Sequence, residues 1–234
     1  DSTVTAAIGA NADILVQDDV LVSATAKPST DAESIGVSAG LAAVGVSLAD
    51  AAVTTTTAAT VAGGSKVTAD MLRVTAQTTE GSDPTARSSA IGASGGLVGI
   101  NGTDSDASFT GSTTASLGDG STVTGSADVT ASSMTRQEAS ATGVVAGLLA
   151  AGAILSDASS DATTKATVGN NVVVSGNSLE IEATGTDNNF ASAVAGSGGV
   201  ISGTASEAST STTSVTEASL GSGDATHKID VGAL

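Results

Sequence analysis

The sequence predicts an all-β fold, a parallel β-solenoid (β-helix). Three observations carry that expectation: a repeat of about 50 residues, strand periodicity inside each repeat, and a supply of small rather than large apolar side chains. The chain has 234 residues, of which 29 are Gly, two are Phe and none is Trp, Tyr or Cys. At 40% hydrophobic residues it is too apolar for a disordered polymer. At 1% aromatics it lacks the rings that supply much of the buried area in an ordinary core.

The repeat is set by four landmarks in fixed order. The first is a short apolar anchor, at Ile8, Val61, Leu117, Val168 and Leu220, with steps of 53, 56, 51 and 52 residues. The second is an alternating segment centred on Val22, Val74, Val129, Ile181 and Val231. The third is Gly-rich and opens near Ile35, Ile91, Gly143 and Val194. The fourth is an acid followed by Ala: Asp50-Ala51, Asp106-Ala107, Asp157-Ala158 and Glu207-Ala208. The implied repeats run roughly over 1–53, 54–109, 110–160 and 161–210, with a partial fifth over 211–234, all within a single solenoid domain.

Within a repeat the period is two. Leu179, Ile181 and Ala183 alternate with Glu180 and Glu182, and Thr54 to Thr57 is a strand-forming run. Turn residues punctuate the strands at Gly63-Gly64, Asp119-Gly120, Gly169-Asn170-Asn171 and Gly221-Ser222-Gly223. Gly147 to Leu155 has the composition of a buried helix. Its counterpart in the fourth repeat, Gly196 to Gly203, contains four glycines, which no helix tolerates, so strand is expected in both. A solenoid coil commonly takes about 20–30 residues, so two coils per repeat are expected, with equivalent anchors about 10 Å apart along the axis. An interior of Ala, Gly, Ser and Val implies walls that approach closely.

The formal charge of −17 excludes the basic stripe that nucleic acid requires. The longest apolar run, Gly143 to Leu155, is too short for the ~20 residues of a membrane span, so no membrane insertion is expected within this segment. Its first residues show no signal-peptide pattern. Neither end reads as a cap, and the expectation is an excerpt of a longer array or a unit met by neighbours, with self-association or adjoining repeats of the same chain as partners.

The run ATVGNNVVVSGNSLEIEAT (Ala166 to Thr184), followed by ASAVAGSGGVISG, resembles the repetitive passenger regions of giant bacterial adhesins. These are the filamentous-haemagglutinin-like and leukotoxin-like β-strand repeat proteins, exported by two-partner or autotransporter routes. The resemblance covers essentially the whole chain and implies an extracellular, rod-like filament at the bacterial cell surface. It carries over no catalytic or ligand residue.

The residues themselves point away from catalysis. His227 has no second His or Cys beside it and reads as a solvated loop residue. The acids Asp50, Asp106, Asp157 and Glu207 form a column that is either a solvated, edge-protecting row or a weak cation site; a two-coil repeat spaces them about 10 Å apart. Polysaccharide-degrading β-helices need paired carboxylates near aromatic platforms, and here Arg is limited to Arg73, Arg87 and Arg136 while no Trp or Tyr exists. Asn101-Gly102-Thr103 fits a glycosylation sequon, but Asn-Gly is also a common tight turn, which is the reading preferred. Thr54 to Thr57, Thr113-Thr114, Thr163-Thr164 and Thr212-Thr213 suggest a hydroxyl ladder, either a solvated face or one for binding ice, carbohydrate or a sister filament. The expectation is a non-enzymatic shaft of a secreted surface adhesin or filament, with end-to-end filament subunit as the alternative. No catalytic, cofactor-binding or metal-ligating residue is assigned.

Overall fold

The computed structural model describes residues 1–222, which form strands joined by tight turns and contain no helix. In chain order the strands are β1 (Ser2–Ile8), β2 (Asp13–Leu15), β3 (Val20–Ala26), β4 (Thr30–Val61), β5 (Lys66–Thr78), β6 (Ala86–Leu117), β7 (Thr122–Val168), β8 (Val173–Val174), β9 (Leu179–Gly198), β10 (Ile201–Thr212) and β11 (Val215–Leu220). Every pairing is parallel. The segment from Gly147 to Leu155 is strand, inside β7. The protein is a parallel β-solenoid.

The register corrects the expected coil count. Ile8 is the ladder partner of Val61, Val61 of Leu117, Leu117 of Val168, and Val168 of Leu220. Each sequence repeat is therefore one coil, and equivalent anchors are about 4.8 Å apart rather than 10 Å. The physical reason lies in the interior. A repeat contains only two reversals, so the chain runs out along one wall and back along the other. In the first coil these walls are Val20 to Ala39 and Ala42 to Val61. Each is roughly 20 residues, or about 65 Å, wide. Small inward side chains let such long walls lie face to face as a flat blade instead of closing into a short tube.

The two walls touch through short side chains. The Ser34 and Ser47 hydroxyls are 2.9 Å apart, as are those of Ser88 and Ser105. Deeper toward the corner, Thr78 joins Thr57 at 2.9 Å and Thr113 at 2.7 Å. Apolar packing is split into two clusters along the blade. One, at the corner end, stacks Val61, Leu117, Val74 and Val129. The other, near mid-wall, stacks Ala51, Ala107 and Ala158 around Phe109. Hydroxyls fill the intervals between them.

One reversal is a corner whose second turn residue has positive φ: Asn11, Gly64, Gly120 and Asn171, at 57°, 72°, 67° and 56°. Gly or Asn occupies each position because other side chains resist the left-handed region. The corners are bonded to one another, with the Gly64 amide donating to the Asp119 carbonyl at 2.8 Å and Gly120 to Asn170 at 2.8 Å. The other reversal is a tip after Gly40, Gly96, Gly147 and Gly199. There a Cβ on Gly96 would fall onto the Gly40 carbonyl oxygen, and one on Gly199 onto that of Gly147.

The long step of 56 residues comes from an insertion. Ala26 pairs with Thr78, an offset of 52, while Thr30 pairs with Ala86, an offset of 56. The four extra residues lie in the loop 79–85, which contains Pro84.

The tip glycines should be the most sensitive small residues in the fold. Gly96→Ala is expected to lower stability by at least about 1–3 kcal/mol, because backbone must shift to admit the methyl group. Gly102→Ala, whose Cβ meets nothing within 4 Å, should stay within about 0.5 kcal/mol of the parent. Urea unfolding followed by circular dichroism measures both; equal effects would contradict the tip geometry.

Candidate functional site

The acid column is shorter and tighter than the sequence implies. Asp50, Asp106 and Asp157 are successive ladder partners, so their backbones are one coil step apart, about 4.8 Å. Glu207 is not among them. It pairs with Leu155, and Ser209 takes the place beside Asp157, because the acid-Ala motif slips by two residues in the fourth coil. All three aspartates face outward on the return wall. Partial burial, and then the charges of Asp104, Asp157 and Asp50, push the Asp106 carboxyl above the ordinary aspartate value. Among the described residues no group of three or more His, Asp or Glu side chains is placed to hold a metal ion.

A second charged region gathers at the 79–85 insertion. Pro84 lies against the outgoing wall, where the Ser29 hydroxyl donates to its carbonyl at 3.2 Å. A shallow cleft of about 240 Å³ opens there, lined by Ser29, Thr30, Asp31, Asp83, Pro84 and Arg87. Beside it, Arg136 reaches Glu80 at 3.4 Å and Glu138 at 3.5 Å. The first of these is a contact between charges without hydrogen-bond alignment, since neither Arg136 Nε nor the Glu80 oxygen is hydrogen-bonded. Asp31, Arg87, Glu138 and Phe190 form one outward row across four coils. Phe190 is exposed. The row offers alternating charge and one aromatic face, suited to contact with a polar surface. The serine in the cleft already donates its proton to Pro84, and among the described residues no imidazole lines it.

This region was missed in the sequence because its members come from four repeats. The available signals were Pro84 and the 56-residue step, which mark the same insertion.

Other candidates fall elsewhere. Asn101 is not in a turn. It sits within β6, points inward at 2% exposure, and donates to Thr103 Oγ1 at 3.2 Å. The strand persists through Asn101-Gly102 because neighbouring coils hold both residues in the ladder, Asn101 between Gly45 and Gly152. The threonine runs place alternate hydroxyls inside: Thr57, Thr113 and Thr164 form a buried column, while Thr212 pairs with Ser160 and is out of step with them. His227, Val231 and the Gly223-Asp224 turn lie outside the described residues.

No family model, no curated protein and no solved structure matches this chain.

The raised Asp106 value fixes the sign of a pH effect. Between the ordinary aspartate value and the higher folded-state one, the folded chain holds more of the proton than the unfolded chain. Stability from this residue therefore falls as pH rises through that window, and the penalty persists above it. Asp106→Asn should remove the slope and raise the thermal midpoint at pH 7, with part of the gain lost in 1 M salt. A lowered midpoint at pH 7 would contradict the assignment.

Proposed function

We propose that the chain is a non-enzymatic structural shaft, a segment of a secreted bacterial surface adhesin or extracellular filament. The observation that carries this reading is the uniformity of the stack. Coil after coil repeats the same two walls, corner and tip in register, and stability in such an array accrues along the axis. Inter-coil hydrogen bonds make the rod stiff along that axis. The −17 charge, spread over outward rows, keeps neighbouring rods dispersed. The charged row at the insertion serves as a lateral contact surface on the shaft, not as a catalytic centre. Extracellular placement at the bacterial surface rests on the resemblance of the repeats to secreted adhesins.

Antibodies raised against the 234-residue protein should label intact cells of the producing organism before permeabilisation. Labelling that appears only after permeabilisation would contradict the surface reading. Turnover of an acidic polysaccharide by the purified chain, abolished by Asp31→Asn or Glu138→Gln, would replace the structural reading with an enzymatic one.

A further inference from the structure

The tip third of the blade is uncharged. None of the 24 acidic or 7 basic side chains falls within 34–47, 88–103, 139–154 or 191–206, the stretches that turn the tip in four successive coils. The same stretches expose large apolar side chains. Leu41, Leu97, Leu148 and Val200, the residues following the four tip glycines, are 79%, 56%, 53% and 79% exposed. On the return wall beside them Val44 and Ile100 face outward in register, as do Val98, Leu149 and Ile201. Isolated exposed leucines are ordinary, but a contiguous apolar patch on an acidic protein marks a contact surface.

We propose that two copies of this chain pair side by side through their tips. Three observations select a second copy as the occupant. First, the surface carries both halves of a contact: the row of tip side chains projects, and next to it a shallow apolar groove of about 250 Å³ lies between Val98, Ile100, Leu149, Ala151 and Ile201. The tip row of one copy fits the groove of the other, and a twofold axis makes both contacts at once. Second, the patch runs along the solenoid axis with a coil-step period of about 4.8 Å, which a second stack of the same coils matches. Third, the zone is uncharged in all four coils, so two chains of charge −17 meet there without like charges opposed. Asp104 and Glu207 lie just past its border on the same wall, at the rim of the overlap.

Four coils of about 4.8 Å by roughly seven residues of wall give on the order of 500 Å² per partner. The total of about 1,000 Å² is the lower limit for a specific interface, so association in the micromolar range is expected. Each further coil of the same kind would enlarge it. The pairing is lateral and holds whether or not the chain serves as an adhesin shaft.

Sedimentation equilibrium of the 234-residue protein tests this. The parent should dimerise reversibly. Leu97→Asp with Leu148→Asp should raise the dissociation constant by at least about tenfold, since both carboxylates would be buried unpaired. Thr56→Asp with Ser112→Asp adds the same charge to the return wall nearer the corner and should leave it unchanged. Unaltered circular dichroism and urea midpoints in both variants separate loss of contact from loss of fold. A strictly monomeric parent at about 100 μM would overturn the proposal. So would association insensitive to the tip variant, which is the signature of end-to-end stacking. Flotation of a monomeric parent on zwitterionic phosphatidylcholine vesicles, lost in the tip variant, would assign the patch to lipid instead.

Discussion

Backbone amides and carbonyls in each coil are satisfied by the coil one repeat away, in parallel and nearly residue for residue. That ladder fixes which residues share a column: a substitution in one repeat is felt by its partners about 4.8 Å above and below. It also removes the usual difficulty of a long strand. A wall of some 20 residues is stable here because another wall of the same length lies on either side of it. Hydrophobic burial then has a smaller task, which is to hold two already bonded walls together.

Close approach of those walls explains the composition. The Ser34–Ser47 and Ser88–Ser105 contacts, each 2.9 Å between hydroxyl oxygens, leave no room for a ring between the walls at those levels. Phe109 is buried where the facing inward residues are alanines, Ala86 and Ala139 among them. The tip is tighter still, because each tip glycine lies against the carbonyl of the one below. Aromatic residues are scarce for this geometric reason. The interior is part hydroxyl: Ser34–Ser47, Ser88–Ser105 and Thr57–Thr78–Thr113 bond across the gap, while Thr55, Ser94, Ser133 and Ser156 are buried without a side-chain hydrogen-bond partner.

Much of the fold was legible in the sequence, because anything repeated at a fixed step is visible as a pattern. The anchors from Ile8 to Leu220 and the segments around Val22, Val74, Val129 and Ile181 stack in the order their spacing implies, though as direct ladder partners with no coil between them. The corner column was visible as Gly and Asn. The number of coils per repeat was not, since period-two alternation says nothing about where a wall ends. A slip of two residues preserves the face of a strand, and for that reason Glu207 looked equivalent to Asp157 although its partner is Leu155. Asn101-Gly102 carried a local turn signal that the ladder on both sides overrides. The row from Asp31 through Arg87 and Glu138 to Phe190 mixes acid, base and aromatic, so no similarity between repeats could reveal it. The uncharged tip was present in the sequence as gaps between charges. Its exposure followed only from the flatness of the blade.

Every column in the stack depends on one coil per repeat, and the absence of native cysteine makes that directly measurable. Thr54 and Thr110 face outward and are ladder partners. Replacing both with Cys places their Cα atoms about 4.8 Å apart, within the range that a disulfide spans. Mild oxidation should close an intramolecular bond in this pair, and not in the pair Thr54 with Ser108, which is displaced by two residues along the wall. With two coils per repeat Thr54 and Thr110 would be about 9.6 Å apart, beyond the limit of about 7 Å. Failure of the in-register pair to close, in a protein whose β-sheet spectrum is intact, would contradict the stack described here.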